Sequence, residues 1–470
     1  MKSQENRSNL KPFFEPNAVA VFGSLKDGGG LGYGSIRNML QFGFSGKIYP
    51  INPSYTGSEV LGFKAYSTID EVEDLIDTAI IITPPPTVPA IMEQCARKGV
   101  KAAIVVSENF AEAGEEGARL QQQLVDIARR TGIRIIGPNT VGILNTANGF
   151  ITTPYFVAYK SVCKGNVAYC SQTGFVSAGT HPLEDLAYPI SKICDVGNKC
   201  DVNEIDLLDY LVDDPETKVI SMHLEDIKDG RSFMSAARRA VARKPLLLFK
   251  PARSEAGARA SASHTGSLAG NDLIYDNAFK QVGAIRINNW QEYWEIPKIF
   301  AYQPLPKGNR LAIITFTGGA GVVAVDTAEE AGLAIARLTD ATVDKLRRLS
   351  PRLGGNPVDL APFLSVSDNP FSDQEEIMVA VLDDANVDCA VIAMYAGLED
   401  FIEPIVGMLD QVSRRIPKPV TMWVYGMKLS AVEEASHQLE ARGLPAYFDF
   451  ETAVKALGVA AAYSKVKSSQ

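Results

Sequence analysis

Short aliphatic and β-branched runs alternate with longer amphipathic stretches along the whole chain. This alternation is typical of βαβ units and parallel sheets. In the first part of the chain, helical patterns such as SIRNMLQFG and VPAIMEQCARKG separate five predicted strands. These strands are AVAVFG (18–23), KIYPINP (47–53), TAIIIT (78–83), AAIVVS (102–107) and IRIIGPN (133–139). The pattern therefore predicts a doubly wound sheet.

The alternation of strand and helix patterns is interrupted at FITTPYFVAYKSVCKGN and again at FAYQPLPKGNR. These two interruptions divide the chain into three α/β units. Strands of the second unit are predicted at VAYCS (167–171), PISKICDVG (189–197), VISMHLE (219–225) and PLLLFK (245–250). The third unit opens with LAIITFTGGAG and continues through VDCAVIAMYAG and PVTMWVYG. We predict an α/β fold with domains at 1–148, 149–303 and 308–470. In such sheets, ligands bind beyond the carboxyl ends of the strands.

Composition narrows the class of protein. The 470 residues are 46% hydrophobic and 21% charged, as is usual for a soluble globular protein. A net charge of -9 argues against a nucleic-acid partner. The first ten residues are too polar for a signal peptide, and no apolar run approaches the roughly 18 residues of a membrane span. The six cysteines form no C-x-x-C pair, so we expect reduced thiols and a cytoplasmic location.

The first predicted strand leads into the Gly-rich segment GSLKDGGGLGYGS. Such a turn before a helix is typical of nucleotide binding, because backbone N–H groups can approach phosphates there. The dinucleotide fingerprint G-x-G-x-x-G is absent, since Tyr33 follows Gly30 and Gly32 at the wrong step. The second strand ends in Asn52-Pro53 instead of an acidic residue, and no Walker loop is present. The sequence therefore indicates a nucleotide-like pocket but not a nicotinamide enzyme.

Two other strand ends carry hydroxyl and glycine residues. In CSQTGFVSAG, Ser171, Thr173 and Gly174 are placed to begin a helix whose N–H groups suit an anion. An ordinary N-cap is the alternative interpretation. The third unit has the same arrangement in TFTGGAGVVAVD, with Thr317, Gly318, Gly319 and Gly321. If the helix starts of these neighbouring units faced one phosphate, both would be anion sites.

His264 lies between Pro251 and Gly270, where thirteen of twenty residues are Ala, Ser or Gly. This composition predicts a loop that is either an ordinary surface segment or the carrier of a reactive histidine.

Glu225, at the end of VISMHLE, is either an orienting partner for an imidazole or a solvated carboxylate. Asp359 is either a similar partner or a turn residue. The remaining histidines are interpreted as surface or structural: His181, His223 and His437.

Motifs distributed over nearly the full length carry a family resemblance. SHTGSLAG, GPNTVGI, SQTG, GKIYPINP and GNPVDL resemble the α subunit of NDP-forming acyl-CoA synthetases, most closely the ADP-forming acetyl-CoA synthetase type. The resemblance implies a Rossmann-like CoA-binding domain followed by two flavodoxin-like domains of the succinyl-CoA synthetase type. It implies the reaction acyl-CoA + phosphate + ADP ⇌ acid + CoA + ATP, through an acyl phosphate and a phosphohistidine. The alternative is a CoA-sensing or protein-acylating protein built on a degenerate synthetase.

The resemblance also implies roles for individual residues. His264 matches the phosphohistidine, on a loop that carries phosphate between sites, and Glu225 matches the glutamate that contacts it. The residues expected to bind phosphate are Ser171, Gln172, Thr173, Gly174, Thr317, Gly318, Gly319 and Gly321. The residues expected to bind CoA are Gly23, Ser24, Leu25, Asn52, Pro53, Thr83, Pro84, Pro85, Ser107 and Asn139. No metal ligand is expected in this chain, because ADP or ATP and Mg²⁺ should bind a separate β subunit with ATP-grasp domains, in an α₂β₂ assembly.

Overall fold

The computed structural model describes residues 9–157, 162–176, 188–265, 271–364, 367–397 and 399–468. Its residues form two compact units, of which the first ends at Asn289 and the second begins at Trp290. The three predicted domains at 1–148, 149–303 and 308–470 stay a prediction. No helix in the described ranges is both long enough and apolar enough to cross a membrane.

The amino-terminal part of the first unit contains a five-stranded parallel sheet. Its strands and an adjoining hairpin are β1 (Ala18–Gly23), β2 (Lys47–Ile51), β3 (Glu59–Val60), β4 (Phe63–Lys64), β5 (Thr78–Ile82), β6 (Ala102–Val105) and β7 (Arg134–Ile136). The strand order is β2-β1-β5-β6-β7, while β3 and β4 pair only with each other. All five predicted strands are therefore present, and all except β1 are shorter than predicted.

Helices cover this sheet. The helices are α1 (Lys11–Phe14), α2 (Leu31–Gln41), α3 (Val88–Lys98) and α4 (Glu115–Thr131), with 3-10 turns at Pro53–Tyr55, Ile69–Glu71, Pro85–Thr87 and Ala111–Ala113. Apolar residues of α3 and α4 pack on one face of the strands, including Ala20 and Phe22. β1, β5 and β6 are buried along their whole length, as expected for a parallel sheet with helices on its faces.

A seven-stranded sheet occupies the rest of the first unit. Its strands are β8 (Ile143–Asn145), β9 (Phe150–Ile151), β10 (Lys164–Ser171), β11 (Ile190–Asp195), β12 (Val219–His223), β13 (Leu246–Phe249) and β14 (Ile285–Ile287). The order is β14-β13-β12-β10-β11-β8-β9, and the hairpin β8-β9 runs antiparallel to β11. The predicted boundary at residue 148 thus lies between two strands of this second sheet. Its helices are α5 (Glu204–Asp213), α6 (Gly230–Arg243), α7 (Glu255–Thr265) and α8 (Asp272–Val282).

The second unit is built on a parallel sheet. Its strands are β15 (Arg310–Thr315), β16 (Ala334–Ile335), β17 (Val358–Asp359), β18 (Cys389–Tyr395), β19 (Val420–Tyr425) and β20 (Ala446–Tyr447). The order is β16-β15-β18-β19-β20, and β17 also pairs with β15. Its helices are α9 (Trp290–Glu295), α10 (Pro297–Tyr302), α11 (Gly318–Glu330), α12 (Asp340–Leu349), α13 (Ala361–Leu364), α14 (Pro370–Asp383), α15 (Glu399–Arg415), α16 (Leu429–Ala441) and α17 (Phe450–Ser468). The predicted α/β class is confirmed.

Candidate functional site

The residues predicted to bind CoA lie at or just after the carboxyl ends of β1, β2, β5, β6 and β7. Because these strands are parallel neighbours, their carboxyl ends meet at one edge of the sheet. Ser24, Pro53, Pro84 and Asn139 are exposed at this edge. Leu25 is instead buried, so its side chain belongs to the core. The structure thus brings the predicted residues together, while their role in binding CoA stays a prediction.

Asn52 explains why the second strand does not end in an acidic residue. Its Nδ2 donates to the Gly23 carbonyl oxygen at 2.8 Å, and its Oδ1 accepts from Ser54 N at 2.9 Å. A carboxylate could not make the first bond, because it has no hydrogen to donate. Asn52 therefore ties the loops after β1 and β2 together.

The Gly-rich turn packs too closely on itself for side chains. A Cβ at Gly30 would lie 2.4 Å from the Ser24 oxygen and 2.7 Å from Lys26 N. At Gly32, a Cβ would lie 3.0 Å from the same oxygen, which also accepts from Tyr33 N at 3.1 Å. The two glycines thus let the turn fold against the start of α2, whose N-terminus opens at the sheet edge.

The loops after β5, β6 and β7 are connected through Ser107. Its Oγ donates to the Thr83 carbonyl oxygen at 2.6 Å and accepts from Thr83 N at 3.2 Å. Asn139 N donates to the Ser107 carbonyl oxygen at 2.9 Å. These bonds fix the backbone of three predicted CoA-binding positions relative to one another.

The loop after β10 makes similar connections in the second sheet. Ser171 Oγ accepts from Thr173 N at 3.0 Å and lies 3.2 Å from His223 Nδ1. Ser171 is only 2% exposed, so its hydroxyl shapes the loop from within. The sequence alone did not single out His223 as a neighbour of this loop, although it lies two residues before Glu225.

Gln172 joins this loop to the segment after β12. Its Oε1 accepts from Glu225 N at 3.1 Å and from Asp226 N at 3.4 Å, while its Nε2 donates to Asp226 Oδ1 at 3.0 Å. The carboxamide thereby holds the backbone of Glu225 beside the predicted phosphate loop. Ser171 and Gln172 thus meet Glu225, which is 53 residues beyond Gln172 in the sequence, at one sheet edge.

A buried ammonium group supports this arrangement. Lys199 Nζ lies 2.6 Å from Asp226 Oδ1, 2.9 Å from the Asp226 carbonyl oxygen and 3.0 Å from Glu204 Oε2. Burial raises the pKa of Asp226, but Lys199, the hydrogen bond from Gln172 and the charge of Lys228 together outweigh burial, so the pKa is lowered. Asp226 is therefore an anion that links Lys199 to Gln172.

His223 is 3% exposed, and its ring lies 5.4 Å from that of Phe249. Burial lowers its pKa to about 3, with further contributions from the charges of Lys250 and Lys199. The imidazole is therefore neutral near pH 7. A buried neutral histidine fits the interpretation of His223 as structural, but not the alternative that it lies on the surface.

The segment around His264 differs from the predicted loop, because residues 255–265 form α7. Ser254 Oγ accepts from Gly257 N at 3.1 Å, and Ala258 N donates to the Ser254 carbonyl oxygen at 2.8 Å. Alanine has the highest helix propensity, and four of the eleven residues of α7 are alanines, which favours a helix here. The side chain of His264 and residues 266–270 lie outside the described part, so the role of His264 stays a prediction.

The predicted anion site of the second unit follows β15. Thr317 precedes α11, and its N–H donates to Thr315 Oγ1 at 3.2 Å. Gly318 and Gly319 are exposed at the helix start. A Cβ at Gly318 would lie 3.4 Å from Asp359 Oδ2, because Asp359 pairs with Thr315 across β15 and β17. The start of α11 therefore lies next to the carboxylate of Asp359. Asp359 is thus close to the predicted anion site and is not a remote turn residue.

Gly321 lies in the first turn of α11. A Cβ there would be 3.2 Å from Pro357 Cβ and 3.5 Å from Thr315 Cγ2. Gly321 is thus needed for close packing of the helix against the neighbouring loop. Across the described ranges, no group of three or more His, Cys, Asp or Glu side chains is arranged to hold a metal ion.

Two family models match the chain. The model described as a CoA binding domain matches residues 17–146. The model described as a succinyl-CoA ligase like flavodoxin domain matches residues 164–300. The two matches correspond to the two sheets of the first unit.

Similar proteins are ADP-forming acetate–CoA ligases. The chain is 38% identical over 449 residues to subunit alpha of acetate–CoA ligase [ADP-forming] II of Pyrococcus furiosus, covering 93% of this chain and 94% of that one. It is 37% identical to acetate–CoA ligase [ADP-forming] II of Archaeoglobus fulgidus, covering 97% of this chain and 67% of that protein.

Among solved structures, the chain resembles the dinucleotide forming acetyl-coenzyme A synthetase 1 of Ca. Korarchaeum cryptofilum in complex with phosphate and ADP. The TM-score is 0.88 and the identity 33%, over 98% of each chain. These findings confirm the resemblance stated from the motifs. The chain therefore belongs to the ADP-forming acetate–CoA ligase family, and it matches nearly the whole of that family's α subunit.

Proposed function

We propose that this chain is the α subunit of an ADP-forming acyl-CoA synthetase, an acid–thiol ligase. The reaction is acyl-CoA + phosphate + ADP ⇌ carboxylic acid + CoA + ATP. The observation that supports it best is the meeting of Ser171, Gln172 and Glu225 at one sheet edge in a chain of this family. Because its relatives are ligases, the CoA-sensing or protein-acylating alternative is not favoured.

CoA would bind the carboxyl edge of the first sheet. The close turn at Gly30 and Gly32 places the start of α2 at this edge, and a helix N-terminus favours phosphate groups. The match of residues 17–146 to a CoA binding domain supports the same location. The amide of Asn52 adds no negative charge there, which suits an anionic ligand. The residues that would hold CoA are Gly23, Ser24, Leu25, Asn52, Pro53, Thr83, Pro84, Pro85, Ser107 and Asn139, of which Leu25 could contribute only backbone atoms.

Phosphoryl transfer would proceed through His264. Phosphate displaces CoA from the thioester to form an acyl phosphate. The neutral imidazole of His264 then attacks phosphorus and releases the carboxylate, and ADP finally takes the phosphoryl group to give ATP. Glu225, with its backbone held by Gln172, would orient the imidazole. The predicted phosphate loops Ser171–Gly174 and Thr317–Gly321 would each bind phosphate through the N–H groups of their helix starts.

The nucleotide half of the reaction requires a partner. Relatives of matching length are named as subunit alpha, which implies a second subunit. We assign ADP, Mg²⁺ and the ATP-grasp domains to a β subunit, in an α₂β₂ assembly. The functional division into 1–148, 149–303 and 308–470 is part of the same proposal. A cytoplasmic location is supported by the six cysteines, all of which are free thiols.

The experiment is to incubate the chain and its co-expressed partner with a panel of acyl-CoAs, phosphate and ADP, and to measure ATP. Labelled acyl phosphate should leave an acid-labile, base-stable label on the wild-type chain. His264→Ala should abolish the label, whereas the matched control His437→Ala should keep it. Equal labelling of His264→Ala would contradict the assignment, and absence of ATP with every acyl-CoA would contradict the proposed reaction.

A further inference from the structure

The imidazole of His223 lies directly beside the loop that follows β10. β10 and β12 are parallel neighbours, with Cys170 opposite Met222. The next residues, Ser171 and His223, are therefore adjacent, and Ser171 Oγ lies 3.2 Å from His223 Nδ1. Both residues are almost completely buried. The contact is thus part of the interior and is not a chance meeting of surface groups.

The bonding capacity of the Ser171 hydroxyl determines the direction of this hydrogen bond. A hydroxyl has one hydrogen to donate and two lone pairs to accept with. Ser171 Oγ already accepts the N–H of Thr173 at 3.0 Å. Its hydrogen cannot reach bulk water from a buried position, and a buried donor requires an acceptor. Among the described residues, the acceptor within reach is His223 Nδ1, at 3.2 Å, which must then be unprotonated.

We propose that His223 is a positioning residue that acts through Ser171. As the neutral Nε2–H tautomer, it accepts the Ser171 hydroxyl hydrogen and completes a chain of bonds from Thr173 N–H to Ser171 Oγ to His223 Nδ1. This chain fixes the conformation of the loop Ser171–Gly174. The role of that loop in binding phosphate rests on the proposed function, whereas the tautomer and the hydrogen bond do not.

The charges around His223 suit this role. The ammonium groups of Lys199 and Lys250 both oppose a positive charge on the imidazole. Lys199 is itself held by Asp226, whose carboxylate also accepts from Gln172 of the same loop. The loop is therefore attached to the end of β12 at two points, through the imidazole of His223 and through the carboxamide of Gln172.

Loss of the acceptor should weaken phosphate binding selectively. Without His223 Nδ1, the buried Ser171 hydrogen has no acceptor and the loop loses one of its two attachments. We expect His223→Leu to raise the KM for phosphate about tenfold, the usual effect of one unsatisfied buried donor. The KM for acyl-CoA should change much less, because the proposed CoA site lies on the other sheet of this unit.

The kinetic test compares four single variants, His223→Leu, His223→Asn, Met222→Leu and Ser171→Ala, and one double variant. His223→Asn places an amide oxygen near the position of Nδ1 and should recover most of the affinity for phosphate. Met222→Leu, a conservative change in the same buried strand, should leave both KM values unchanged. In a Ser171→Ala background, His223→Leu should cause no further increase, since no hydroxyl remains to be held. A full additional increase there, or an equal rise in both KM values, would overturn the proposal.

A spectroscopic test does not depend on turnover. The chain has four histidines, so ¹⁵N-labelled imidazoles give a spectrum simple enough to assign with His223→Leu. His223 should appear at pH 7 as the neutral Nε2–H form, with Nδ1 as a hydrogen-bond acceptor. A protonated ring or the Nδ1–H tautomer would overturn the proposal even in a fully active enzyme. If the expected tautomer is found in a chain without synthetase activity, the hydrogen bond stands and the proposed function fails.

Discussion

Replacement of Lys199 by methionine tests whether the buried charges organise the site. The Lys199 side chain is almost fully buried and contacts Asp226 at 2.6 Å and Glu204 at 3.0 Å. Methionine has nearly the same length and fills the same space, but it carries no charge. The substitution therefore leaves two carboxylates in the interior without their shared cation, and it removes a donor to the Asp226 carbonyl oxygen.

The magnitude follows from the burial of these groups. Removing one partner of a buried ion pair costs about 3–5 kcal/mol, because the remaining charge stays buried and unpaired. We therefore expect Lys199→Met to lower the free energy of unfolding of the first unit by this amount. Lys47→Met is the matched control, because Lys47 Nζ and Asp74 Oδ2 are separated by 2.6 Å but these side chains are 64% and 46% exposed. An exposed pair contributes at most about 1 kcal/mol.

The pH dependence provides a second measure. In the wild type, Lys199 lowers the pKa of Asp226 against the opposing effect of burial. This depressed pKa contributes stability that is present above the unfolded value of about 3.9 and is lost as pH falls through the folded value. In Lys199→Met, burial is opposed by the hydrogen bond from Gln172 and the charge of Lys228 but no longer by Lys199, so the pKa of Asp226 is higher than in the wild type. The stability difference between variant and wild type should therefore be largest at neutral pH and shrink as pH falls.

The assay is urea unfolding of the full chain, followed from pH 7 to pH 4.5 by a probe in the first unit. The double variant Lys199→Met/Asp226→Asn should recover part of the loss, because one of the unpaired charges is gone. A loss below 1 kcal/mol at pH 7, or a loss that grows as pH falls, would refute the account of Lys199 as the counterion of Asp226.

Three other predictions concern activity. Glu225→Gln should keep the fold but slow phosphohistidine formation about ten- to thousand-fold, because an orienting charge is lost. Rapid-quench labelling measures this rate, and an unchanged rate would mean that Glu225 is a simple strand-end residue. Gly30→Ala should weaken CoA binding at least about tenfold in calorimetry, because the added Cβ would lie 2.4 Å from a backbone atom. The control Gly29→Ala should bind CoA normally, since nothing lies within 4 Å of its added Cβ. The purified chain alone should show no ADP-dependent turnover until the β subunit is added, and robust ATP synthesis without it would contradict the need for a partner.

The sequence alone was sufficient to predict the strands of the first sheet and the α/β class. The prediction of these strands succeeded because β1 and β5 are fully buried parallel strands. Such strands must be apolar along their whole length, and a continuous apolar run can be recognised in the sequence. The motifs were likewise sufficient for the family, since they extend over nearly the full chain. The site residues at strand ends could be selected because parallel strands bring their carboxyl ends to one edge.

Tertiary structure decided the contacts among these residues and several local conformations. The attachment of Gln172 to Glu225 and Asp226 joins positions more than fifty residues apart, and no local pattern encodes it. His223 could be recognised as a partner of Ser171 only after β10 and β12 were known to be neighbours. The hairpin β8-β9 joins the second sheet by pairing with β11, a distant strand. The small residues of α7 suggested a loop, because they can bury little apolar surface. Composition does not show whether the backbone of such a segment forms helical hydrogen bonds, and here it does.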